Sequence, residues 1–376
     1  MMPGFIQFPT RRALVTAAVL VMAAALTACT SASTVTTAAL AGIPQPGGTS
    51  TADAQLTGAG STFDAPFFDL AFSAYQQANI YTGISYDAVG SSAGITQYVA
   101  GDVNFGATDV PANATDLAGA SGRTLEVPVD LGAVAVAYNV PHLGKTPLRL
   151  TGPVLAQIFL GIITRWNDPA IAALNPRLNL PDAHITVVHR SDGSGTSYIF
   201  TNYLSDVSPA WSSMVGTGRS LDWPTGKGGD GNPGVLTALE QTSYSIGYVE
   251  RSYSTGTTLG VAAIANRDGN YVSPTPAAIK ADAAGKPVIS VSDFSIVNEP
   301  GANAYPICGY SWVLIAARQS SRPTGQALVS LFSWLTHAGQ AYAADLGYVP
   351  LPPAVQHLAT ATLAQVTGPS GGPLAG

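Results

Sequence analysis

The chain has 376 residues, 16 Lys and Arg against 22 Asp and Glu, a net charge of −6, and only 10% charged residues. That length fits two domains of ordinary size or one large one. Phosphate backbones are held largely by clustered positive charge, and this acidic chain has no run of Lys or Arg, so no nucleic-acid partner is expected.

The N-terminus separates from the rest. Arg11 and Arg12 precede a charge-free apolar run that ends in Leu26-Thr27-Ala28-Cys29. A basic start, a short apolar stretch and small residues before a cut describe a secretory signal over 1–28 rather than a spanning helix. Leu-Thr-Ala-Cys looks like a bacterial lipobox, which makes Cys29 the acylated first residue of the mature chain. An ordinary signal with a chance cysteine and a twin-arginine signal are the alternatives. Cleavage removes two positive charges and no acidic ones. With Cys29 acylated, Cys308 has no intramolecular partner for a disulfide. It follows Tyr305-Pro306-Ile307 and precedes an apolar run, so it reads as a small buried hydrophobe. Residues 29–52 are rich in Ser, Thr, Ala and Gly without apolar period, and read as a tether.

From Leu56 one local pattern recurs. A Gly/Ser/Thr turn at Gly58–Thr62 leads into a helix with Phe67, Phe68, Ala71, Phe72 and Tyr75 at helical spacing and Pro66 in its first turn. A strand over Ile84–Val89 reaches the turn Gly90-Ser91-Ser92 and a helix ended by Gly101. A third strand, Ile185–His189, runs into "RSDGSGT" and a helix from about Thr196. Strand, glycine-rich turn and helix is the grammar of α/β proteins. The first N–H groups of each such helix have no intrahelical partner and carry partial positive charge, which makes an anion site. Two buried strands, 132–140 and 310–317, are expected to cross between lobes.

Three chemistries compete for these turns. Gly90-Ser91-Ser92-Ala93-Gly94 fits the nucleophile elbow G-x-S-x-G of a hydrolase. That reading needs a histidine base, and none of His142, His184, His189, His337 or His357 lies in an obvious site context. Nucleotide motifs fail: Gly58-Ala59-Gly60-Ser61-Thr62-Phe63 lacks the third glycine of G-x-G-x-x-G, and Gly226-Lys227 is followed by Gly228 rather than Ser or Thr. The third is an anion receptor.

For that last reading the sequence carries a resemblance. "LTGAGSTFDAPFF", "VGSSAGITQYVAGDVNFGATDVP", "VVHRSDGSGTSYIFTNYL" and "SIGYVERSY" resemble the phosphate-binding protein of the high-affinity bacterial phosphate ABC transporter. So do the connecting pieces "ALNPRLNLPDAHITV" and "MVGTGRSLDWPTGKGGDGN", over roughly residues 55–350. The resemblance implies a type II periplasmic-binding-protein fold, two α/β lobes joined by hinge strands: 53–130 with 296–376, and 131–295. It implies a phosphate set of the Thr62 hydroxyl, Phe63 N–H, Ser91 and Asp109 from the first lobe. From the second come Arg190, Ser194, the Gly195 N–H and Thr196, with Asp192 orienting Arg190. Departures at Ala93, Val110 and Ser191 remove no ligand chemistry. It implies inorganic phosphate as ligand and an ABC permease with its ATPase as partner. No enzyme activity, cofactor or metal is expected, in a membrane-tethered monomer facing outward.

Each residue type suits that task. Arg offers a planar fork to two oxygens. Asp109 beside an anion is repulsive unless a proton lies between them; phosphate carries that proton at neutral pH and sulfate does not. Plainer roles exist for each segment: Asp109 as a turn residue before Pro111, Ser91-Ser92 as a cap pair, and Asp192-Gly193 as a surface turn. Glu250 reads as support for packing between lobes. A related receptor turned to phosphate sensing or adhesion has the same ligand residues.

Overall fold

The computed structural model describes residues 54–143 and 147–374; the expected signal peptide, Cys29 and the tether fall outside the described residues. The strand Ala54–Gly60 alternates buried Ala54 and Leu56 with exposed Gln55 and Thr57, the period of a sheet with one covered face. Pro66 sits in the first turn of the helix Ala65–Ala78, where its missing N–H costs no bond. The helix buries Phe67, Phe68, Ala71, Phe72 and Tyr75. Strand Thr82–Asp87 leads to helix Ser91–Ala100, closed by Gly101 at φ 79, where a side chain would be strained.

The main sheet has nine strands. In spatial order eight of them are Thr82–Asp87, Ala54–Gly60, Phe105–Thr108, Cys308–Ala316, Thr124–Asn139, Ser245–Glu250, Thr186–Arg190 and Lys227–Gly229. The ninth, Gly260–Val261, pairs beside the long strand Thr124–Asn139. Parallel pairing holds at both ends of this order, and antiparallel pairing in the middle. The long strand changes partner midway. Thr124–Ala133 pairs with Cys308–Ala316, and Val134–Asn139 pairs with Ser245–Glu250. One continuous chain segment therefore links two sheet halves. Both crossing strands are buried almost throughout.

The expected strand over 132–140 begins already at Thr124. Glu126, Pro128 and Asp130 break the apolar run and hide its first half. Pro128 has no N–H to give its partner, and the pairing register slips there, between Ser311 and Trp312. One core cluster runs through both halves. Phe105 packs among Phe72, Tyr86 and Phe332 on one side. On the other, Phe200 stacks on Tyr248 and Phe159 packs edge-on against Phe200. Cys308 is buried, with its thiol on the Tyr305 carbonyl at 3.2 Å.

Glycine spacing brings the Ser91 helix down on the first strand. A methyl group on Gly94 would lie 2.3 Å from Gly60 Cα and 2.5 Å from the Ala59 carbonyl oxygen, both backbone atoms that cannot swing away. Gly94→Ala is accordingly expected to cost about 1–3 kcal/mol of stability. Urea denaturation with an unchanged midpoint would contradict this packing.

Candidate functional site

Three glycine-rich turns meet where the two sheet halves face each other. The first follows strand Ala54–Gly60 and carries Ser61, Thr62 and Phe63. The second is Gly90-Ser91 at the start of helix Ser91–Ala100. The third runs from Arg190, at the end of strand Thr186–Arg190, to helix Gly195–Val207. Thr62, Ser91, Asp109, Arg190, Ser194 and Thr196 are all buried polar residues.

The site is built around a buried guanidinium. Arg190 Nε donates to Asp192 Oδ1 at 2.7 Å, and Nη2 donates to Asp192 Oδ2. Its side chain is 1% exposed, so the paired carboxylate supplies what water otherwise would. Nη1 points the other way, to Thr196 Oγ1 at 3.2 Å. The main-chain N–H of Arg190 is held by Tyr248 Oη at 3.1 Å, which ties the arginine to the neighbouring strand. Asp192 also accepts from the Gly231 N–H at 3.1 Å.

Hydrogen bonds cross between the halves. Gly195 N–H donates to Ser91 Oγ at 3.0 Å, and Ser92 N–H to the Gly193 carbonyl at 2.9 Å. The approach is close enough that a Cβ on Gly195 would lie 2.6 Å from the Asp109 side chain. A Cβ on Gly90 would meet Asp192 at 2.3 Å. Tyr253 Oη donates to the Thr62 carbonyl at 2.7 Å. At the rim, Arg219 pairs with Asp116.

Asp109 is fully buried. Ser311 donates to its Oδ1 at 2.9 Å, while Oδ2 has no hydrogen-bond partner. Burial pushes the carboxyl up to about 6, against the opposing pull of the Ser61 and Ser311 hydroxyls, the Arg190 guanidinium and the Thr196 hydroxyl. Three expected groups have protein partners in this arrangement, the first being the Gly195 N–H on Ser91 Oγ. Phe63 N–H is held by Ser61 Oγ at 2.9 Å, and its ring is core. Ser194 Oγ accepts from Ser197 N–H at 3.0 Å as the helix cap, keeping its own proton free to donate.

Asn232 belongs to the site and escaped the sequence reading. It stands at the start of helix Gly231–Glu240, fully buried. Its side-chain amide donates to Thr62 Oγ1 at 2.9 Å and to Thr196 Oγ1 at 3.2 Å, bridging the two halves. Ser61, Ser311 and Tyr253 were missed as well. The available signal for Asn232 was "GGDGNPG", a fourth glycine-rich turn before a helix; Gly231 has φ 64.

The arrangement does not support the nucleophile-elbow reading. The nucleophile of that motif would be Ser92, whose N–H donates to the Gly193 carbonyl and whose carbonyl accepts from Thr96 Oγ1; among the described residues no histidine is hydrogen-bonded to it. His189, next to the arginine loop, stacks on Trp223 with Nδ1 against the Arg190 carbonyl at 2.9 Å. What the site can do is hold an anion. It offers a guanidinium, hydroxyls and helix N-termini, with one carboxyl oxygen available as acceptor.

Fold and site together define a two-lobed solute receptor, and comparison with known proteins agrees. The profile described as a PBP superfamily domain matches residues 46–334. The chain is 40% identical to a phosphate-binding protein PstS of Pasteurella multocida, over 79% of this chain and 86% of that one. It is 36% identical to a phosphate-binding protein PstS of Methanocaldococcus jannaschii, over 74% and 77%. Two solved structures share the fold at lower identity. A high affinity periplasmic phosphate-binding protein (PfluDING) bound with phosphate gives a TM-score of 0.64 at 19% identity, covering 84% of this chain and 99% of that one. A phosphate-binding protein from Stenotrophomonas maltophilia gives 0.63 at 18%, covering 82% and 93%. The chain belongs to the PstS family of phosphate-binding proteins.

Glu250 now has a place. It ends strand Ser245–Glu250 beside the point where the long strand changes partner, and Oε2 accepts from Ser252 N–H at 2.7 Å and from the Ser252 hydroxyl. Burial pushes it up to about 8, against Ser252, Tyr348 and Arg251. The folded protein thus keeps a proton that the unfolded chain releases near 4.5. Stability is full below that value and falls as pH rises toward about 8. Glu250→Gln is expected to flatten this slope, read by denaturant unfolding between pH 5 and 9. A variant whose stability falls as steeply as wild type would contradict the assignment.

Proposed function

We propose that this chain is an extracytoplasmic receptor that binds inorganic phosphate between its lobes and delivers it to an ABC permease with its cytoplasmic ATPase. It acts as a monomer and performs no covalent chemistry. One observation carries the reading: Arg190, the Thr62 and Ser91 turns and the buried Asp109 converge on one cleft between the sheet halves.

Phosphate at neutral pH is a tetrahedral anion with one or two protons. Arg190 addresses it with a guanidinium whose far side is fixed by Asp192. Hydroxyls of Thr62, Ser91, Ser194 and Thr196 and the N–H groups of Phe63 and Gly195 supply further donors. The Ser61 bond to Phe63 and the Ser91 bond to Gly195 exchange for ligand oxygens on binding. Asp109 Oδ2 accepts the phosphate proton; a fully ionised sulfate meets the same oxygen as repulsion. Charge-assisted hydrogen bonds contribute about 1.5–3 kcal/mol each. A few net bonds therefore reach about micromolar affinity, near −8 kcal/mol.

We place the lobes at 53–130 with 296–376 and at 131–295, which the partner exchange near Ala133 supports. Opening parts the cross-cleft bonds, and only phosphate satisfies both faces, so ligand shifts the population toward the closed form. Among the described residues no helix is long and apolar enough to cross a membrane. Attachment falls to a diacylglyceryl-modified Cys29.

Calorimetric titration with phosphate and sulfate tests the site. Phosphate binds the wild type at neutral pH, and Arg190→Ala loses it by 100-fold or more, on the order of one buried charge left out. Asp109→Asn narrows the preference for phosphate over sulfate. Unchanged phosphate affinity in the first variant, or an unchanged ratio in the second, would refute the assigned roles. For the anchor, Cys29→Ser releases the protein from the membrane on cell fractionation; retention would contradict lipidation there.

A further inference from the structure

We propose that Asn232 determines ligand polarity in the cleft: by filling the acceptor positions of the Thr62 and Thr196 hydroxyls, it forces both protons outward as donors. This inference rests on the phosphate reading above and concerns a residue that touches no ligand in it.

The orientation of the amide follows from one bond. Glu250 N–H donates to Asn232 Oδ1 at 2.9 Å, and a backbone N–H can only donate. The oxygen therefore faces Glu250, and the NH₂ faces the two threonines. Both amide hydrogens are used, one to Thr62 Oγ1 at 2.9 Å and one to Thr196 Oγ1 at 3.2 Å. The main-chain N–H of Asn232 adds a second bond to Thr62 Oγ1 at 3.1 Å.

A threonine hydroxyl has one proton to give and two lone pairs to receive with. Both lone pairs of Thr62 are taken by the two N–H donors of Asn232. Those of Thr196 are taken by Arg190 Nη1 and Asn232 Nδ2. Each hydroxyl is left with its proton alone, and both are buried; the Thr196 proton also has Asp109 within reach, where it favours the charged carboxylate, so the acceptors open to it are Asp109 and a ligand oxygen. A proton in that position is satisfied only by an acceptor. The pair accordingly selects an oxyanion and turns away a cation or a donor-bearing neutral solute. Asn232 is a positioning residue: it acts through Thr196 within its own half and through Thr62 across the cleft.

A double-mutant cycle tests this, with phosphate as probe in calorimetry. Asn232→Ala is expected to weaken phosphate binding about 10–100-fold in wild type, the scale of one or two donors. In a Thr62→Val background the same change is expected to cost several-fold less, because the hydroxyl it orients is gone. A residue serving structure alone costs the same in both backgrounds, and that result overturns the proposal. Asn232→Asp keeps the shape but presents an acceptor to the threonines; it is expected to bind more weakly than Asn232→Ala, and equal or tighter binding overturns the proposal. Circular dichroism and thermal unfolding establish that each variant is folded. If Asn232→Ala does not fold, the cycle is read with Asn232→Asp; if neither folds, the role is structural and the proposal falls. A wild type that fails to bind phosphate defeats the reading beneath it. A wild type that binds, with costs that simply add, defeats the role of Asn232 alone.

Discussion

A guanidinium taken out of water must be matched, and the buried Arg190 organises everything around it. Asp192 answers one edge through two oxygens, and Thr196 answers the other. The loop that holds the pair is short, from Arg190 to Ser194, because the carboxylate must return within two residues of the arginine. Small residues follow because Gly195 lies against Asp109 and Gly193 lies against Ser92, where any side chain would collide. The close approach of the two halves is thus a consequence of composition at the turns. The long strand then fixes which turns can meet, since it belongs to both halves at once.

The cleft is surrounded by acids rather than bases. Asp64, Asp109, Asp130 and Glu250 are all buried, and burial raises each above its ordinary range. Like charge raises Asp64 further, from Asp109 and Asp130, and raises Asp130 further, from Glu250 and Asp109. An acidic chain that holds an anion therefore relies on local donors, not on its overall field. Helix N-termini and one paired arginine outweigh a net charge of −6 at the distances that matter. Tyr86, Tyr253 and Tyr348 serve the same economy of charge, donating phenol protons to Ser61, Thr62 and Phe63 carbonyls, with no formal charge.

The turns were legible in the sequence because glycine, serine and threonine in short runs have few other uses. Gly90 and Gly101 take positive φ where the reading put a turn and a helix end. Helix starts near Pro66 and Thr196 fell within a residue of where the structure has them, while the second helix begins at Ser91, inside the expected turn, and Gly58–Gly60 end the first strand rather than open a turn. Long-range pairing was not legible. Asn232 lies 170 residues from Thr62, and nothing local in "GDGNPG" says which hydroxyl it will meet. Ser311 faces Asp109 only because the returning strand runs antiparallel to its neighbours. The first half of the long strand was hidden by Glu126, Pro128 and Asp130, whose burial in a sheet no local pattern announces. Ala112 N–H donates to Glu126 at 2.8 Å, and Leu131 N–H to Asp130 at 2.7 Å.

A crystal structure of the protein grown with phosphate at neutral pH tests the central claim most directly. The account predicts one phosphate between the halves, with its oxygens on the Arg190 fork, the Thr62 and Ser91 hydroxyls and the N-terminus of the Gly195 helix. One oxygen would face Asp109 at hydrogen-bond distance. Phosphate held by a single lobe, or bound away from Arg190, would contradict it.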